Sequence, residues 1–291
     1  MTDSPKEALK YTLRNLAALR YLAPGFSDQL YFIFGCQRSG TTLLLSILNA
    51  HPNITGTDET EFPSPYPFPS APRLAINRVT QQYSCFKMLE HSHKLNFLKQ
   101  FYPHAKVLWP IRNPHSTISS MLKLSNAEGT WIDRCADAEL ERLKPFFPEQ
   151  LEKAKPSERS QLEKAAIYWN TKNQYPAILQ SHGFDVFPFK YEDLLNNPPE
   201  TLTQIVQFLD IEWSDDLLNF HQKNPSKLLA GGTHTNTPIN AERASKLQST
   251  LNAAEVASIN ELCAPVMDAY GYPRVVQQEP TRESNKVPQK V

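Results

Sequence analysis

The sequence predicts an α/β fold, a P-loop-like parallel sheet flanked by helices in a single domain. Three observations carry that expectation. Residues 31–51 read as a buried strand, a loop bracketed by glycines and a helix. Residues 106–123 repeat the same plan. Further strand candidates at 84–89 and 185–190 alternate with helical patterns, the sign of parallel strands whose ligands bind at their carboxyl ends. A chain of 291 residues can bury one full core of this kind.

Residues 1–29 read as an N-terminal helical extension. Within it, Leu9, Leu13, Leu16 and Ala17 keep helical spacing opposite Lys6, Lys10 and Arg14. Such a helix packs on its own domain or lies on a membrane surface. The domain proper is expected over 30–273. Tyr31, Phe32, Ile33 and Phe34 form its first strand, and Leu43, Leu44, Ile47 and Leu48 mark the helix after the loop. Thr57-Asp58-Glu59-Thr60-Glu61 is acidic. The proline-dense stretch 62–72 is a stiff loop presenting Phe62, Tyr66 and Phe68, either as a substrate wall or as a plain surface loop. Lys87 interrupts the apolar strand 84–89, and Pro110 is read as ending the strand 106–111. After Arg112-Asn113-Pro114 comes a helix to Lys123 with Ile118, Met121 and Leu122 inward. Residues 126–162 suggest short surface helices, and a longer helix begins at Ser160. The strand 185–190 leads into Tyr191-Glu192-Asp193-Leu194-Leu195, and Pro199 fits the first turn of the next helix. A last helix is expected from Ala253 to Tyr270, stopped by Gly271, and 274–291 reads as a disordered tail.

Composition excludes several classes of function. Thirty basic and thirty acidic side chains cancel, which removes nonspecific nucleic-acid attraction as a default. Cys36, Cys85, Cys135 and Cys263 are scattered and form no metal-binding pair or disulfide framework. Cys36 alone sits in the loop, reactive if the site is electropositive and a space-filling side chain otherwise. No apolar run is long enough to span a membrane, and no signal-peptide core follows Met1, so a cytoplasmic protein is expected.

The first loop carries the chemistry. A loop that opens a helix gathers backbone N–H groups at the positive end of the helix dipole and favours an anion, above all a phosphate. Gly35 to Thr42 reads G-x-x-x-x-G-T-T, so Thr41 stands where a triphosphate P-loop has lysine. Arg38 supplies positive charge inside the loop instead, beside the hydroxyls of Thr41 and Thr42. The pattern suits a nucleotide with one 5′-phosphate plus another acidic group.

Arg38-Ser39-Gly40-Thr41-Thr42 resembles the 5′-phosphosulfate loop of sulfotransferases that use 3′-phosphoadenosine 5′-phosphosulfate (PAPS). The R-S-G-T-T form and the following His51-Pro52-Asn53-Ile54 are closest to the tyrosylprotein sulfotransferases and their bacterial relatives. Arg112 and Ser120, eight residues apart, resemble the family's 3′-phosphate motif. The block from Tyr191 to Trp213 is similar too, which implies Tyr191 near the adenine; a core tyrosine at a strand end is the other reading. Thr237-Pro238-Ile239-Asn240 resembles the loop that closes over the nucleotide, with Thr237 in place of the usual basic residue.

For sulfuryl transfer, Arg38 and Lys87 are the candidates to stabilise charge on the leaving phosphate. A lysine in an apolar strand is costly unless it meets an anion, although its ammonium can also reach past the strand end to water. The resemblance implies Glu59 as the base, in register with the second glutamate of the G-E-E-T segment of tyrosylprotein sulfotransferases. Leu89 occupies the position of the cytosolic enzymes' histidine, and His91 and His93 are the alternatives. The resemblance therefore implies a PAPS-dependent enzyme without a metal. Two rivals are a nucleotide-binding protein without chemistry and a P-loop-type small-molecule kinase. The acidic run 58–61 and its aromatic neighbours favour a neutral or cationic hydroxyl acceptor: a small molecule, a carbohydrate or a glycolipid.

Overall fold

The computed structural model describes residues 27–58, 71–80, 82–223, 237–241 and 251–275. At its centre is a five-stranded, all-parallel sheet in the order β2-β3-β1-β4-β7. The strands are β1 (Leu30–Ile33), β2 (Ile54–Asp58), β3 (Tyr83–Lys87), β4 (Lys106–Ile111) and β7 (Val186–Lys190). A two-stranded ribbon, β5 (Ser125–Asn126) with β6 (Gly129–Thr130), stands apart from it. The expected α/β architecture is therefore the observed one.

Side-chain alternation builds a core on each face of this sheet. Leu30, Phe32 and Phe34 point to one side with Phe86, Val107, Trp109 and Ile111. Helices α3 (Leu95–Phe101), α4 (Pro114–Lys123) and α7 (Gln161–Ser181) cover that side. So do α11 (Ala253–Leu262) and α12 (Ala264–Tyr270), while α5 (Asp137–Leu143) and α6 (Pro148–Ala154) lie further out. Tyr31, Ile33, Cys85 and Leu108 face the other way. There they meet α1 (Thr41–Leu48), α8 (Tyr191–Asn196), α9 (Pro198–Leu209) and α10 (Phe220–Lys223). Helix α2 (Ala71–Val79) leads into β3.

Four details differ from the sequence expectation or sharpen it. Strand β2 was not foreseen; it is an edge strand pairing only with β3, and Ile-Thr-Gly-Thr-Asp shows little apolar pattern. Strand β4 does not end at Pro110 but runs to Ile111. Alternate residues of a parallel strand turn their N–H and C=O groups to opposite neighbours. Phe34 N–H donates to Leu108 O (3.1 Å), so Pro110 faces the same side, where β1 has already ended and no ladder bond is lost. The expected last helix is two helices meeting at Cys263, because Pro265 has no N–H for the carbonyl of Glu261. Gly271 does stop it, in the left-handed conformation at φ 65°. Beyond it, Arg274 pairs with Asp268 and the Val275 carbonyl accepts from Asn260. The expected extension falls almost wholly outside the described residues, and so does the tail from 276 onward.

Candidate functional site

The carboxyl ends of β1, β3, β4 and β7 bring the candidate residues to one place. Between β1 and α1 the chain turns through Arg38 at φ 68° and Gly40 at φ 86°. A non-glycine residue in the left-handed region is uncommon, and such strain concentrates at ligand-binding loops. Gly40 is the N-cap of α1, and no side chain caps that helix. Its first-turn N–H groups therefore point into the loop. Ser39 Oγ is fully buried and has no hydrogen-bond partner among the described residues.

The second unit closes on the first. Asn113 caps α4 by accepting from Ser116 N (3.2 Å), and Pro114 supplies its first turn. That cap turns Ser120 toward the loop, where its Oγ accepts from Arg38 Nε at 2.9 Å. Arg112 donates to the carbonyl of Arg38 at 3.2 Å, and its own carbonyl accepts from Trp169 Nε1 at 3.0 Å. The two phosphate motifs read separately in the sequence thus form one cationic cradle. Burial, and the Arg112 guanidinium beside it, pull Arg38 below the usual arginine pKa.

Tyr191 is packed within this cradle. Its ring centroid lies 5.0 Å from Arg112 Cζ, and a Cβ on Gly40 would meet the ring at 2.2 Å. Tyr191 is 6% exposed, and the loop glycine and the guanidinium are among its neighbours. The next residue, Glu192, accepts from Asn113 N (2.9 Å) through one oxygen. Its other oxygen lies 2.8 Å from the Tyr272 hydroxyl, which burial and Glu192 together push far above the ordinary tyrosine pKa.

Lys87 does meet an anion, and it is one the sequence reading did not pair with it. Lys87 Nζ lies 2.6 Å from Asp58 Oδ2 and 3.3 Å from Thr42 Oγ1, with both charged side chains buried. Asp58 is therefore not a carboxylate of the acidic mouth, which corrects that part of the acceptor argument. Glu59, Glu61, Phe62, Tyr66 and Phe68 lie outside the described residues. Thr237-Pro238-Ile239-Asn240 is described, and Ile239 packs against the cluster around α1.

On the other face a buried network supports the loop after β3. Lys172 Nζ donates to Leu89 O (2.9 Å) and Ser92 Oγ (2.9 Å) and pairs with Glu139 (3.4 Å). Glu139 also pairs with Arg142, which reaches Glu90. His91 and His93 sit on this loop; burial, reinforced by nearby cations, lowers both, His91 to about 4. Cys36 is completely buried and pushed up by desolvation, which suits a space-filling side chain and not a reactive thiol. Among the described residues no helix is long and apolar enough to cross a membrane.

The sequence matches the sulfotransferase family profile over residues 31–78 and 70–215, most of the sheet and the whole cradle. The chain belongs to the sulfotransferase family. No curated protein matches it. Among solved structures it is similar to the sulfotransferase domain of the curacin biosynthetic pathway, at 17% identity and a TM-score of 0.55, covering 84% of this chain and 98% of that one. It is equally similar to the sulfotransferase domain of the Synechococcus PCC 7002 olefin synthase, at 19% identity and a TM-score of 0.56, covering 84% of this chain and 95% of that one. At such identities the likeness is one of fold.

Proposed function

We propose that this chain moves the sulfuryl group of PAPS to a hydroxyl acceptor, with Glu59 as the base. The observation that carries the reading is the convergence of Arg38, Arg112, Ser120 and Lys87 on the uncapped start of α1. Three cations, a helix N-terminus and the orphaned Ser39 hydroxyl suit a ligand with two phosphate positions and a sulfonate. The loop has no lysine for a triphosphate.

In this reading Ser39, Gly40, Thr41 and Thr42 hold the 5′-phosphosulfate through backbone N–H groups and hydroxyls. Arg112 and Ser120 hold the 3′-phosphate, and Tyr191 backs the Arg112 guanidinium and borders the nucleotide. Arg38 lies between the two positions. PAPS supplies a sulfuryl group, whose transfer breaks an S–O bond to the 5′-phosphate and makes one to the acceptor oxygen. Lys87 and Arg38 stabilise negative charge on the departing phosphate oxygen, fixed in place before reaction rather than recruited during it. Glu59 takes the acceptor's hydroxyl proton, and Phe62, Tyr66 and Phe68 are the aromatic groups proposed to meet the acceptor. No metal is required, since the side chains provide the positive charge. The acceptor proposed is a neutral or cationic alcohol of a small molecule, carbohydrate or glycolipid.

The test is calorimetry with adenosine 3′,5′-bisphosphate against ATP, followed by a screen of acceptor pools with labelled PAPS. Binding of the bisphosphate together with label transfer supports the reading. ATP binding with bisphosphate rejection would favour a kinase, and bisphosphate binding with no acceptor labelled would favour a non-catalytic protein.

A further inference from the structure

We infer that Asp58 is a positioning residue that shares the Lys87 ammonium with the sulfuryl donor and so limits how tightly donor and nucleotide product are held. The inference rests on the proposed reaction. Strands β2 and β3 end side by side, with Asp58 and Lys87 directly paired in register. Neighbours in register on parallel strands send their side chains to the same face. Here that face carries Thr42, the second residue of α1, so the pair meets at the first turn of the helix that opens the anion site. The side chains are 4% and 5% exposed, and the contact is 2.6 Å.

An ammonium has three hydrogens. Among the described residues Asp58 and Thr42 take two, which leaves one for an anion seated on α1. Any such anion must then sit next to a carboxylate already bound to the same cation. Asp58 is held at a strand end and buried, so solvent screens this repulsion weakly. Arg38, within the loop, and Arg112, bonded to the Arg38 carbonyl, add their own attraction for the ligand. The set of charges is thus balanced: two guanidiniums pull the nucleotide in, while Asp58 keeps the third cation from holding it too firmly. The consequence is faster release of the bisphosphate product after each turnover.

Removing the carboxylate should therefore strengthen binding, which loss of a merely structural contact would not do. By calorimetry, Asp58→Asn should bind adenosine 3′,5′-bisphosphate roughly tenfold or more tightly than the parent, the low end of the coupling measured for close charge pairs. Asp58→Glu, which keeps the charge, should bind like the parent. Parent-like or weaker binding by a folded Asp58→Asn overturns the inference. If that variant does not fold, Asp58→Asn combined with Lys87→Gln leaves no unpaired buried charge and decides instead. Affinity within about tenfold of the parent supports the sharing of Lys87, because lost attraction and lost repulsion offset; a larger loss overturns it. A parent that gives no binding heat with the nucleotide would sink the proposed reaction itself, and this inference with it. A parent that binds, beside an Asp58→Asn variant that binds no better, would sink only the role of Asp58.

Discussion

Replacing Gly40 by alanine tests how the cradle is built. The added methyl would stand 2.2 Å from Tyr191 Cε2 and 2.3 Å from Cδ2, well inside any real contact. Tyr191 is only 6% exposed, and its ring centroid lies 5.0 Å from Arg112 Cζ, so a shift of the ring presses on its neighbours. Gly40 also has φ 86°, where an L side chain is strained by about 1–2 kcal/mol. Overpacking a tight site adds about 1–3 kcal/mol, so the total is roughly 2–5 kcal/mol. Urea denaturation of Gly40→Ala should show that loss as a lower midpoint with an unchanged slope. Calorimetry should show weaker binding of adenosine 3′,5′-bisphosphate, since the displaced ring pushes on Arg112. In a Tyr191→Ala background the steric part disappears, and the same glycine change should cost only the about 1–2 kcal/mol of backbone strain. Equal cost in both backgrounds would show that Tyr191 does not pack on the loop, and the account of the cradle would be wrong.

Arg38→Ala and Arg112→Ala should each weaken bisphosphate binding by about 1.5–3 kcal/mol, the value of a charge-assisted hydrogen bond, and calorimetry that finds both variants unchanged would refute the phosphate assignment. Glu59→Gln should bind the nucleotide normally yet lose roughly 10²–10⁴-fold in turnover of labelled PAPS. Full activity there would move the base to His91, His93 or another residue. His91 predicts acid sensitivity. Its folded value of about 4 lies below the ordinary 6.5, so the unfolded chain binds more protons between those values. Its contribution to stability is complete above pH 6.5 and is lost as pH falls toward 4. Urea midpoints from pH 7.5 downward should fall less steeply in His91→Gln than in the parent; equal slopes would exclude this origin.

What could be read from the sequence was what is local. The loop 35–42 and its helix announce themselves through two glycines and an apolar repeat, and Arg112 with Ser120 through a strand break followed by a helix. Their meeting could not be read, because Arg38 and Ser120 are 82 residues apart in sequence and joined only by the fold. Asp58 reads as a mouth residue in the sequence because its partner lies on the next strand, 29 positions on, and β2 lacks the apolar pattern that would reveal a strand. Lys172 escaped notice for a similar reason. A single lysine on a long helix reads as solvated, whereas this one is 1% exposed and satisfied by Leu89, Ser92 and Glu139 from other elements. Pro110 misled because proline penalises a ladder only where the neighbouring strand is still present.

In the proposed reading the acceptor side carries Glu59 and Glu61. Arg73 and Arg78 are the basic residues that follow the acidic run in sequence. Arg78 pairs with Asp28, just before β1, at the amino end of the sheet. Asp58, conversely, is spent on Lys87 and adds no free negative charge. Arg142 is engaged by Glu90 and Glu139. His91 and His93 are held neutral by burial at neutral pH. Arg38 and Arg112 are joined at the first loop, where Arg112 donates to the Arg38 carbonyl. On the proposed reading, an acidic acceptor approaching Glu59 meets like charge from Glu59 and Glu61, which slows encounter and weakens binding. A neutral or cationic alcohol has no such barrier, and the aromatic side chains of 62–68 suit its apolar or sugar face.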